Sequence, residues 1–179
     1  MLFPPVPNQQ LNEREEDTTF KLKWLAVLVW FVIAVQPSFA DDRTALIGTW
    51  KLVSWETEWQ DGSERAPIYG KNPKGYIIFT AQGRMMAVLE AEVRKVPQTD
   101  EESAAAFRSM TAYSGVYSLE GDKWVTKVDV SSNPAWHGTN QVRFYKLDGD
   151  QLHVTSAWQP NLKLGGKVTR SVLVWERVK

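Results

Sequence analysis

Residues 113–130 carry the pattern that most restricts how this chain can fold. Tyr113, Gly115, Tyr117 and Leu119 alternate with Ser114, Val116 and Ser118. Beyond the turn Glu120-Gly121-Asp122, Trp124, Thr126, Val128 and Val130 alternate with Val125, Lys127 and Asp129. A period of two in two runs joined by a glycine turn is the mark of an antiparallel hairpin. Paired across the turn, both apolar sets fall on one face, which places that face in a core.

The same signature returns along the chain. Residues 141–158 form two runs around Asp148-Gly149-Asp150. One face carries Gln141, Arg143, Tyr145, Leu147, Leu152, Val154, Ser156 and Trp158. The other carries Val142, Phe144, Lys146, His153 and Thr155. The first face is the more apolar and is expected inside, which takes Arg143 inward. Residues 76–90 form a third hairpin through Ala81-Gln82-Gly83, apolar on both faces, so its outer side needs a cover. An opening strand at 48–57 is entered through Gly48, with Trp50 and Leu52 inward and Ser54 and Glu56 on the same face. A closing strand at 170–178 ends in Trp175-Glu176-Arg177 and pairs with the first. About eight strands with close turns predict an all-β fold, a single closed or nearly closed antiparallel barrel, because closure removes exposed sheet edges.

One helix interrupts the strands, near residues 100–110. Thr99 is its expected cap, with Glu102 at capping-box spacing. Ser103, Ala106, Phe107 and Met110 share one face, a narrow stripe suited to covering a sheet or a barrel mouth. The hairpin at 76–90 is the expected recipient. A single turn at 42–46, capped by an aspartate, is expected across one end of the barrel.

Residues 1–40 read as an appendage and residues 41–179 as the barrel domain. The unbroken apolar run 24–35 follows Lys21 and Lys23 and precedes Pro37, Ser38 and Ala40. This is the grammar of a secretory signal with cleavage after Ala40, so the domain is expected in the periplasm or outside the cell. The run is shorter than the roughly 20 residues that span a bilayer, so membrane attachment is expected only through an uncleaved signal segment.

Composition narrows the chemistry. Lys plus Arg and Asp plus Glu are 21 each, which offers no electrostatic footprint for nucleic acid. With no Cys and two His, thiolate nucleophiles, disulfides and zinc-type metal sites are not expected. No glycine-rich phosphate loop or nucleophile motif is present, so no cofactor is expected and no catalytic residue is assigned. Nine Trp suit an interior that holds an aromatic or amphipathic ligand, or one that is simply filled.

Gly48-x-Trp50 on the first strand, with Arg177 on the last, resembles the lipocalin arrangement, in which the indole plugs one barrel end and the guanidinium lies over it. The wider pattern resembles the bacterial and fungal lipocalin-like domain family. It comprises Gly48-Thr49-Trp50-Lys51-Leu52-Val53-Ser54, Tyr69-Gly70 with Asn72-Pro73-Lys74-Gly75-Tyr76, Gly83-Arg84-Met85-Met86, Tyr113-Ser114-Gly115-x-Tyr117, Pro134-x-Trp136-x-Gly138-Thr139-x-Gln141-x-Arg143, Gly149-Asp150-x-Leu152 and Trp175-Glu176-Arg177. That resemblance implies a calycin-type barrel and leaves the activity open.

The candidate ligand-binding residues are Arg143, Tyr113, Tyr117, Trp124, Trp158 and Glu90, with Gly48, Trp50 and Arg177 structural. A charge inside a barrel needs a partner, and Glu56 or Glu90 is expected to pair with Arg143 unless a ligand anion does. The leading expectation is a binder of a small hydrophobic or amphipathic molecule. The alternatives are a cofactor-independent isomerase, cyclase or hydratase built from Glu90, Arg143, Tyr117 and His137, and a filled barrel acting through its surface.

Overall fold

The computed structural model describes residues 39–161 and 164–179. Of the export segment expected at 1–40, residues 1–38 lie outside them. The strands are β1 (Gly48–Trp59), β2 (Lys74–Phe79), β3 (Arg84–Glu90), β4 (Met110–Glu120), β5 (Lys123–Ser131), β6 (Asn140–Asp148), β7 (Gln151–Ser156), β8 (Gln159–Asn161) and β9 (Lys167–Arg177). All pair antiparallel in the order β1-β2-β3-β4-β5-β6-β7-β9, and β9 returns to β1. The result is a closed eight-stranded meander, with the short β8 as an extra strand against β9. Helix α1 (Phe39–Leu46) precedes β1, helix α2 (Asp100–Arg108) lies between β3 and β4, and a 3-10 turn (Pro134–Trp136) lies between β5 and β6.

One end of the barrel is plugged. Trp50 is fully buried and donates its indole N–H to the Leu46 carbonyl at 2.9 Å. The Arg177 guanidinium sits 4.0 Å above the Trp50 ring and donates to the carbonyls of Ile47 and Ala45, so one cation joins α1, β1 and β9. Gly48 has φ of +130°, and a Cβ there would lie 3.1 Å from an Arg177 nitrogen; both backbone shape and space require glycine. Phe79, Met85 and Tyr117 fill the barrel just above, with Phe79 and Tyr117 meeting edge to face at 5.1 Å. Each large side chain buried here contributes roughly 1.5–3 kcal/mol. Helix α1 begins at Phe39, so Asp42 lies within it rather than capping it.

Three irregularities break strict alternation. On β1 the register against β9 shifts between Leu52 and Ser54. The extra residue, Val53, faces outward, and beyond it Trp55 and Thr57 turn inward while Glu56 leaves the interior. On β5 a shift opposite Ser114 and Gly115 sends Asp129 and Val130 both outward, which corrects the inward expectation for Val130. Asp129 then meets Arg84 through two hydrogen bonds of 3.1 and 2.7 Å. Gly115 has Lys127 backbone so close that an added Cβ would lie 2.1 Å from its carbonyl oxygen. Between Thr155↔Val172 and Gln159↔Thr169 the pairing with β9 slips by one residue, which turns Trp158 out of the barrel.

Helix α2 forms as expected at its start: Thr99 accepts from the Glu102 N–H, and Glu102 reaches back to the Gln98 N–H at 2.6 Å. It does not cover the β2–β3 hairpin. Tyr76, Ile78, Met86 and Val88 all remain well exposed on that outer face, while α2 buries none of its residues and sits beside β4. Arg94 holds this region, bonding Glu90, the Ser109 hydroxyl and the Ala106 carbonyl.

Candidate functional site

Above the plug the barrel opens. A cavity of about 570 Å³ lies among β1, β3, β4, β5, β6, β7 and β9, in the size range of small-molecule sites. Its mouth is rimmed by Phe107 and Arg108 of α2, by residues 132–136, and by Gln159, Pro160 and Asn161 of β8. Its depth is set by side-chain size. On β3, Met85 is fully buried below the cavity, while Ala87, a small side chain, and Leu89 line it.

The walls are aromatic and fixed by one another. Trp55 stacks on Tyr69 with ring centroids 3.6 Å apart, and its indole N–H reaches the Ser171 hydroxyl at 3.2 Å. Burial pushes the Tyr69 phenol above its ordinary value near 10, so that wall stays neutral. Trp124 meets Phe79 edge-on at 5.2 Å, and Tyr113 meets Trp136 edge-on at 5.4 Å. Trp136 is held over the mouth by local capping: Asn133 accepts from the Ala135 N–H, and Thr139 donates to the Trp136 carbonyl.

Arg143 is the charged group within these walls. Strand β6 pairs it with Trp124 on one side and Ser156 on the other, and alternation turns it inward to 8% exposure. One guanidinium nitrogen donates to the Val142 carbonyl at 2.8 Å. The guanidinium carbon lies 5.6 Å from the Tyr113 ring centre and 5.8 Å from that of Trp136. No ion pair holds it among the described residues. Glu90, one expected partner, is bonded to Arg94, and Glu56, the other, is turned away by the Val53 bulge.

Three of the six candidate ligand residues, Arg143, Tyr113 and Trp124, line the cavity together. The other three lie elsewhere. Tyr117 packs above the plug, where its hydroxyl donates to the Thr80 carbonyl at 3.4 Å and burial pushes its phenol above the ordinary value near 10. Trp158 lies beyond the end of β7, 37% exposed, beneath the Arg170 guanidinium at 4.5 Å. Glu90 stands at the outer end of β3, tied to Arg94. His137 accepts the Ser131 N–H through its Nε2 and so serves the loop. The four groups considered for catalysis therefore occupy four separate places. Among the described residues no group of three His, Asp or Glu is arranged to hold a metal.

Sequence reasoning missed Trp55, Tyr69, Trp136 and Trp175 as wall residues. Trp175 was within reach, since it alternates with Leu173 on β9. Trp55 was hidden by the bulge, and Tyr69 and Trp136 lie outside any periodic run.

A solved structure of an uncharacterized protein from Bacteroides eggerthii aligns over 74% of this chain and 99% of its own, with 14% identity and a TM-score of 0.36. A curated relative, the 4'-hydroxy-3'-methoxypropiophenone carrier protein of Aspergillus oryzae, is 33% identical over 88 residues, covering 45% of this chain and 78% of the relative. Barrel architecture together with a carrier among the relatives supports small-molecule binding in general. The family model described as lipocalin-like domain matches residues 47–178, the whole barrel, and the chain belongs to that family.

Proposed function

We propose that this protein is an exported carrier that holds a small, partly apolar molecule in the open half of its barrel, with Arg143 turned toward the cargo. The observation that carries this reading is the cavity of about 570 Å³ with a buried guanidinium in its wall and, among the described residues, no carboxylate paired to it. A filled barrel would have no such space, and a structural arginine would spend more of its donors on the fold, as Arg177 does on two carbonyls. The fungal relative is named as a carrier of an aromatic ketone, which is a cargo of fitting size and character. Export is supported by Lys21 and Lys23 before the apolar run 24–35 and by Ser38 and Ala40 after it.

The test is to purify the full-length protein, extract it under denaturing conditions, and search the extract by mass spectrometry. A near-stoichiometric organic compound, lost from Arg143→Ala, is the expected result. A ligand present at a hundred times its dissociation constant adds about 2.7 kcal/mol of stability, which is a readable rise in melting temperature. A protein that carries nothing and whose melting is unmoved by a panel of aromatics, lipids and organic acids would overturn the reading. N-terminal sequencing of the mature protein tests export, with Asp41 as the expected first residue.

A further inference from the structure

We infer that the cargo is an aromatic carboxylate, an inference that rests on the carrier reading above and names the class of molecule the cavity selects. The charged group in these walls with bonding capacity to spare is a donor. Arg143 is always charged and brings five N–H donors, of which the Val142 carbonyl takes one. That bond uses Nη1 and leaves the edge formed by Nε and Nη2. Two parallel N–H groups on one planar edge fit the two oxygens of a carboxylate.

Charge points the same way. Two arginines, Arg143 deep and Arg108 at the mouth, line the cavity, and among the described residues no Asp or Glu does. The nearest hydroxyl across β7 is committed: Ser156 accepts from the Ser171 N–H and donates to the Ala157 carbonyl. A neutral cargo leaves a desolvated guanidinium facing two aromatic rings, whereas a carboxylate completes it. The rest of the cargo must match flat walls. Trp55 stacked on Tyr69, with Trp124 and Trp136, forms planar surfaces that favour a ring over a flexible alkyl chain.

Calorimetric titration of the full-length protein with cinnamate, methyl cinnamate and decanoate tests this. Cinnamate is expected to bind at least tenfold more tightly than either of the others. Arg143→Met is expected to erase the preference for acid over ester while leaving the ester's affinity within about threefold. Arg143→Lys, which keeps the charge but not the fork, is expected to fall between, and it replaces the methionine variant should that one fail to melt cooperatively. Equal binding of cinnamate and its ester overturns the carboxylate and leaves the carrier reading standing. Equal binding of decanoate and cinnamate overturns the aromatic body. Failure of all three to bind wild type overturns this inference and, with an empty extract, the carrier reading as well.

Discussion

The two halves of this barrel use the same materials to opposite ends. Each has an arginine against aromatic rings. In the plugged half Arg177 lies over Trp50 and donates to two backbone carbonyls. In the open half Arg143 lies against Tyr113 and Trp136, donates to one carbonyl, and faces a cavity. The first cation closes the interior, spending two nitrogens on carbonyls of the fold with Asp150 4.0 Å from its Nε. The second has bonding capacity left over. Filling separates the halves as well: Phe79, Met85 and Tyr117 pack one, while in the other the small Ala87 faces a cavity walled by aromatic rings. The lesson is that a buried charge with satisfied donors marks structure, and one with donors to spare marks a site.

Breaking the plug is expected to have the largest effect. Trp50→Ala removes a fully buried indole and is expected to cost about 3–5 kcal/mol in urea unfolding, against about 2 kcal/mol for Leu89→Ala, where space already exists beside the side chain. The paired arginines sharpen the contrast. Arg177→Met strands the Ala45 and Ile47 carbonyls and is expected to cost about 1–3 kcal/mol. Arg143→Met relieves a buried unpaired charge and is expected to leave the ligand-free protein as stable or more stable, while carboxylate binding weakens at least tenfold to the level of the ester. A similar cost at both sites would erase the distinction. Ala87→Leu adds bulk to the cavity; unfolding within about 1 kcal/mol of wild type, with weakened cargo binding, is the expected pair of results.

The smallest effect concerns pH and the outer wall of the open half. The hydrogen-bonded Arg170 guanidinium, with help from Arg65, holds the Glu58 carboxyl below its ordinary value near 4.5. The folded state therefore binds this proton less readily than the unfolded chain. Its stabilising contribution is complete above the unfolded value and is lost as pH falls through the lower folded one. Wild type should lose stability more steeply than Glu58→Gln as pH drops below about 4.5, while the two converge in slope at neutral pH.

Alternation made the barrel legible in the sequence, and departures from alternation hid part of the site. The inward position of Arg143 follows from β6 and β7, which stay in step from Arg143↔Ser156 to Leu147↔Leu152. Trp158 lies two residues beyond Ser156 on the same nominal face, yet the slip against β9 turns it outward. Trp55 is the mirror case, carried inward by the extra Val53. A bulge adds one residue and reverses every face beyond it, and no residue type announced either of these. The outer face of β2 and β3 misled for another reason. Apolar residues on both sides of a hairpin imply a cover, but Tyr76, Ile78, Met86 and Val88 stand exposed.

The most direct test of the division between plug and site is to crystallise the protein with 3-(4-bromophenyl)propanoate and locate the bromine by anomalous scattering. We predict one strong peak between Trp55 and Trp124, with the carboxylate oxygens within hydrogen-bonding distance of Arg143. A peak on the exposed face of Tyr76 and Val88, or a cavity that stays clear while the compound binds elsewhere, would contradict the assignment of the open half as the site.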